Sequence, residues 1–230
     1  MARVAITMAA DHSPLLADHA RNHGLEPVLL PCIEVTPADD AVLHDARALA
    51  SDADWLVVTS PRAVRAVWPR GGMPPPPVAA VGPSTAASVE EAGGTVGLVG
   101  EAGAAALVAR LAERAGGASV FFPHATGADP STVSALERAG AEVKAVAVYE
   151  TRPVAPGPDP VDAVAFGSPS AVRGWLISRH LEDLVLGAIG ETTAGALADA
   201  GRSPQVVPPR PDFADLMARL ADHLRQRSPV

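Results

Sequence analysis

The sequence predicts an α/β fold of two small domains with parallel sheets, joined by a two-stranded linker, with one domain discontinuous along the chain. Three observations predict it. Residues 54–93 recur as residues 162–201: Ser168 follows Ser60, Gly190 follows Gly82 and Gly201 follows Gly93 at one spacing of 108. A second repeat relates residues 4–37 to residues 120–153, with Gly140 after Gly24, Glu150 after Glu34 and Pro153 after Pro37 at a spacing of 116. The two kinds of unit also appear in opposite order in the two halves. A tandem duplication would keep one order. Nesting resolves this: residues 1–32 pack with 154–230, residues 38–147 form an inserted domain, and residues 33–37 and 148–153 are the linker strands.

Residues 3–8 read as a first strand. Ser13-Pro14 opens a helix to about residue 23, and Gly24 ends it. Residues 27–33 are extended, because Pro27 and Pro31 exclude a helix. A helix over residues 39–50 places Leu43, Ala46 and Ala50 on one face. In each copy of the first repeat an acid, Asp54 or Asp162, precedes an apolar run of buried-strand length. Ser60-Pro61 and Ser168-Pro169 then supply an N-cap and a donor-free first helical residue. A second apolar run leads through Gly82 or Gly190 into a helix closed by Gly93 or Gly201. Between these halves of the first copy, RGGMPPPP reads as a mobile surface loop.

Residues 95–99 read as a short strand, 101–115 as an alanine-rich helix and 119–122 as a buried strand. PHATGADPS is a loop, Ser131 or Thr132 leads a helix to residue 139, and residues 142–149 are a strand. The crossings at residues 31–37 and 147–153 run in opposite directions and pair as a ribbon. RPVAPGPDP can be neither helix nor central strand. A last amphipathic helix over residues 212–225 carries Phe213, Leu216, Leu220 and Leu224 on one side.

Composition narrows the function. Aromatic content of 3% and a net charge of −8 without a basic run argue against nucleic-acid binding. The single Cys32 excludes an intrachain disulfide and a cysteine-rich zinc site, and it reads as a small buried residue. His19 and His23 have i, i+4 spacing, but no third metal ligand accompanies them, and they read as surface residues. No secretory signal and no membrane-length apolar run is present, so a cytoplasmic monomer is expected.

The four strand-to-helix turns collect backbone N–H groups and small hydroxyls: Thr59, Ser60, Gly82, Ser84 and Thr85 in one copy, Ser168, Ser170, Gly190 and Thr193 in the other. Open α/β sheets bind ligands, anions in particular, at such strand ends. Arg62, Arg65 and Arg173 sit in early helical turns and read as mainly solvated; His124 follows a strand, a better position for a ligand.

The ordered set of TSPRAV and GSPSAV, VGPSTAASVEEAG and IGETTAGALADAG, and the VYETRP crossing resembles the uroporphyrinogen-III synthase family over nearly the whole chain. The resemblance implies two flavodoxin-like domains around a cleft, and neither metal nor organic cofactor. It implies closure of hydroxymethylbilane to uroporphyrinogen III with loss of water and inversion of the last ring, with the preceding deaminase as a transient partner. Its substrate carries many carboxylates, so an acidic chain must bind it through local donors. Tyr149, the only tyrosine, stands at the tyrosine of the family's Tyr-x-Thr crossing and is the expected group assisting departure of the hydroxyl. Three positions depart from the family pattern. Met8 stands where an arginine is usual, His124 where a basic residue is common, and Gly167 where the first copy has Thr59. These departures keep open an alternative, a weak or silent member that binds tetrapyrroles as a regulator.

Overall fold

The computed structural model describes residues 1–10, 13–100, 103–114 and 116–227. The chain begins with β1 (Arg3–Ile6), α1 (Ser13–Asn22), β2 (Glu26–Leu29) and β3 (Ile33–Pro37). It continues through α2 (Asp40–Asp52), β4 (Trp55–Val58), α3 (Pro61–Val67), β5 (Val78–Val81), α4 (Pro83–Glu91) and β6 (Val96–Gly100). Then come α5 (Ala104–Ala112), β7 (Ser119–Ala125), α6 (Ser131–Arg138) and β8 (Glu142–Pro153). The last elements are β9 (Ala163–Phe166), α7 (Pro169–Trp175), β10 (Val185–Ala188), α8 (Glu191–Asp199) and α9 (Phe213–Arg227). Two compact units result: Met1–Val35 with Thr151–Val230, and Thr36–Glu150.

The discontinuous unit holds a parallel sheet in the order β10-β9-β1-β2. Val206 adds a single parallel bridge to Gly187 on β10. Numbered along this unit's own chain the order is 2-1-3-4, with Val206 as a vestige of a fifth position, which is the flavodoxin order. Side chains alternate between two packed faces. Val164 and Phe166 meet Ala171, Trp175 and Leu197 from α7 and α8. Ala163 and Ala165 share the other cluster with Ala20 of α1 and with Leu216 and Leu220 of α9.

The inserted unit holds a six-stranded sheet, β3-β8-β7-β4-β5-β6. From β8 to β6 all pairs are parallel. The strands related by the 116 spacing are β7 and β8 to β1 and β2; those related by 108 are β4 and β5 to β9 and β10. Both sheets therefore share one spatial order, reached by a different chain order. The switch point, where successive connections leave in opposite directions, lies between β1 and β9 in one unit and between β7 and β4 in the other.

The crossings do pair, since Ala38 N–H bonds Val148 O and Val154 N–H bonds Cys32 O, which is an antiparallel register. The pair is no free ribbon, however: β8 is continuous from the sheet into the crossing, and β3 lies along it as an edge strand. Three expectations need correction. The RGGMPPPP loop is anchored rather than loose: Met73 is 7% exposed, and its N–H bonds Ala92 O. β7 runs on through Pro123 and His124 to Ala125, because its partner β8 extends beside it and accepts the pairing. Ser13 does not accept a capping bond; its hydroxyl donates back to Met8 O and Ala9 O, 3.1 Å each. The alanine-rich helix covers Ala104–Ala112; its expected ends at Glu101 and Ala115 lie outside the described residues.

Candidate functional site

In the inserted unit the turns after the adjacent strands β4 and β5 bring Thr59, Ser60, Gly82, Ser84 and Thr85 to the carboxyl edge of one sheet. His124 reaches the same edge at the end of β7, and Tyr149 on β8 stands opposite Ala125 in register. In the discontinuous unit the turns after β9 and β10 bring Ser168, Ser170, Gly190 and Thr193 to the equivalent edge. The expected residues thus form two clusters, one per unit.

Ser60 is the N-cap of α3, accepting Arg62 N–H at 3.2 Å, and Ser168 caps α7, accepting Ala171 N–H at 3.2 Å. Capping uses a lone pair and leaves each O–H free to donate. Ser170 accepts from the Arg173 guanidinium at 2.8 Å, so that arginine is held on its own helix. Gly82, the N-cap of α4, has φ 77, a left-handed conformation that a side chain would strain. Gly190 is plain extended backbone, and Ser84 is exposed.

Three hydroxyls are conspicuous by their surroundings. Thr85 is 2% exposed, its repeat partner Thr193 1% and Tyr149 7%. None of these hydroxyls bonds another described residue. Among the described residues no fully buried polar side-chain atom lacks a partner, so the slight exposure each residue keeps includes its hydroxyl. A recessed polar atom without a protein partner, yet reachable from outside, keeps its hydrogen-bonding capacity open.

His124 is half-buried; its Nδ1 lies 2.9 Å from Ala125 O, which places the proton on Nδ1, and its ring stacks obliquely on Phe122. Cys32 is fully buried, with its S–H directed at Leu30 O, and burial pushes its thiol up to about 12, against the lesser opposing pull of Arg179. It is a packing residue, not a nucleophile. Among the described residues no three potential ligands gather to hold a metal, and no helix is long and apolar enough to cross a membrane.

Sequence reasoning missed one relation. A Cβ on Gly167 would lie 1.9 Å from Met8 Sδ, so the Met8 side chain occupies the space a residue at 167 would claim. The signal was present: Met8 is the 116-spaced partner of His124, and Gly167 the 108-spaced partner of Thr59. Taken as two separate substitutions, they conceal that they touch.

The fold and these clusters define a duplicated, permuted α/β protein of flavodoxin order, with hydroxyl-bearing turns at the carboxyl edges of both sheets. Residues 15–218 match the family model described as uroporphyrinogen-III synthase HemD, and the chain belongs to that family. It is similar to the uroporphyrinogen-III synthase of Synechococcus elongatus, 32% identical over 168 residues, which is 69% of this chain and 63% of that protein. Its fold is shared with the crystal structure of uroporphyrinogen-III synthetase from Helicobacter pylori, at TM-score 0.68 and 20% identity over 98% of this chain and 100% of that one. A mutant uroporphyrinogen III synthase from Thermus thermophilus gives TM-score 0.64 and 19% identity over 99% and 100%.

Proposed function

We propose that this chain is itself a uroporphyrinogen-III synthase, a lyase of tetrapyrrole biosynthesis acting in the cytoplasm as a monomer. It would receive hydroxymethylbilane from the preceding deaminase and close it to uroporphyrinogen III, with inversion of ring D and release of one water. The observation that carries this reading is the family match, which runs through both units and all four of the duplicated strand-to-helix turns.

The chemistry asks little covalent work of the protein. The electron-rich pyrrole expels the terminal hydroxyl. The chain must hold a folded pose, assist that departure and delay direct closure, which is largely positioning. Tyr149 is the assisting group: its phenol is recessed and bonds no described residue, so it can donate to the departing oxygen. Thr85 and Thr193, with the free O–H groups of Ser60 and Ser168, supply neutral donors for carboxylates.

The test is direct. Hydroxymethylbilane generated in place by the deaminase is offered to the protein, the products are oxidised, and isomers I and III are separated. Isomer III is expected; isomer I alone at every protein concentration overturns the reading. In the same assay Tyr149→Phe is expected to lower turnover about 10²-fold and to raise the share of isomer I. Full rate and isomer purity in that variant would remove Tyr149 from the mechanism.

A further inference from the structure

The two units reach one sheet order by different routes, so each position at one switch point has a counterpart at the other. Three counterpart pairs diverge in the same direction. Met8 answers His124, Ile33 answers Tyr149 and Gly167 answers Thr59. The apolar member of every pair belongs to the discontinuous unit.

The apolar edge is built firmly. Thr7, fully buried, donates its hydroxyl to Ala165 O at 2.8 Å and ties β1 to β9 just before Met8. Ser13 holds Met8 O from the other side. The half-buried Met8 thioether then lies over Gly167 and fills its missing side chain. Beside it, within the same unit, is a concavity of about 510 Å³ lined by Ala9, Pro31, Ile33, Val35 and Val154, with Glu34 the charged group on its wall.

Among the described residues of that wall a carboxylate would find no cationic donor and one like charge. A pyrrole ring meets complementary chemistry in the concavity, apolar walls for its face and a carboxylate acceptor for its N–H; the Met8 thioether, of a kind that favours aromatic contacts, precedes the lining residue Ala9. We infer that the discontinuous unit takes a ring of the tetrapyrrole in the Glu34 concavity beside Met8, apart from the strand-end hydroxyls that receive its carboxylates. This deepens the synthase reading and rests on it for the identity of the ligand.

The experiment compares two porphyrin probes that share a ring skeleton, uroporphyrin III with eight carboxylates and coproporphyrin III with four. Binding is followed by fluorescence titration of the wild type, Met8→Ala, Ala10→Phe and Thr59→Ala. Ala10 is exposed and also lines the concavity, so phenylalanine there fills it without entering the core. Met8→Ala and Ala10→Phe are expected to weaken both probes by a similar factor, about tenfold. Thr59→Ala is expected to weaken uroporphyrin more than coproporphyrin. Thermal melting identifies any variant that has simply lost its fold, and Met8→Leu, which keeps the apolar contact, is expected to retain most of the affinity.

Unchanged affinity in both Met8→Ala and Ala10→Phe overturns the inference, as does a loss confined to uroporphyrin. The isomer assay on the wild type is run alongside. If it yields isomer III while these variants bind as the wild type does, this inference fails and the synthase reading stands. If the wild type yields only isomer I, the reaction reading fails, and the two-probe comparison still decides whether the concavity takes a porphyrin by its ring.

Discussion

One residue contact occurs twice, once in each sheet, at the edge opposite the candidate site. Asp54 accepts the Ser119 backbone N–H at 2.8 Å and its hydroxyl at 2.9 Å, and Asp162 accepts Arg3 N–H at 2.7 Å. The paired positions obey the two repeat spacings, so the acid preceding each strand is a fastener between neighbouring strands. The Ser119 backbone and side-chain bonds hold the Asp54 carboxyl below its ordinary range. A carboxyl depressed in the folded state contributes stability above its unfolded value near about 4. That contribution is lost as pH falls through the lower folded value. Asp54→Asn is therefore expected to narrow the difference in melting temperature between pH 7 and pH 3, and thermal scans across that range check it. Gly174 makes a second residue-scale case. A Cβ there would meet Cys32 O at 1.9 Å and Val154 O at 2.8 Å, both backbone atoms of the paired crossings. Its counterpart in the inserted unit is the buried Ala66, whose Cβ is accommodated. Gly174→Ala is expected to lower unfolding free energy by about 1–3 kcal/mol in denaturant titration.

Among the elements, those whose sequence carries its own punctuation were legible. Leu43, Ala46 and Ala50 are the buried residues of α2, as their periodicity requires, and Leu216 and Leu220 of α9 are fully buried. Ser60 and Ser168 cap the helices their Ser-Pro pairs announce. What could not be read locally depends on distant neighbours. Pro123 suggests the end of a strand, yet β8 sustains pairing past it. RGGMPPPP has the composition of a loose loop, but Met73 packs against Gly94, where a Cβ would lie 2.5 Å from its sulfur. Met73→Ala is expected to cost about 2–5 kcal/mol, the range for an ordinary core methionine and far above that of a solvent-exposed loop residue. Equilibrium unfolding of the variant measures this.

At the scale of the molecule, the repeats made the permuted order legible because equivalent strands must find equivalent neighbours. Much of the candidate site was also legible, since strand-to-helix turns announce themselves by Ser, Thr, Gly and Pro. The contact between Met8 and Gly167 was not, because it joins residues brought together only by the pairing of β1 with β9. Net charge adds a consequence at this scale. A chain of charge −8 repels a polycarboxylate from a distance, even where neutral donors receive it at close range. Raising ionic strength from about 10 mM to about 150 mM shortens the screening length from about 30 Å to about 8 Å. The second-order rate constant kcat/KM is accordingly expected to rise by about two- to threefold over that interval. A steep fall with salt would instead indicate binding dominated by cationic side chains.

The nesting of one unit inside the other also sets a timetable. β1 and β2 are made first, yet Val4 must await Ala163 before its other edge is paired. At roughly 5–20 residues per second, ribosomal synthesis imposes a wait on the order of 10 s. The inserted unit, continuous from Thr36 to Glu150, has all of its strands from β4 to β8 made just before Ala163, and well before α9 (Phe213–Arg227) completes the discontinuous unit. During translation, therefore, the unit encoded in the middle closes first. The apolar edge Val4-Ala5-Ile6 stays open meanwhile, leaving the nascent chain most exposed to mispairing at its oldest strand.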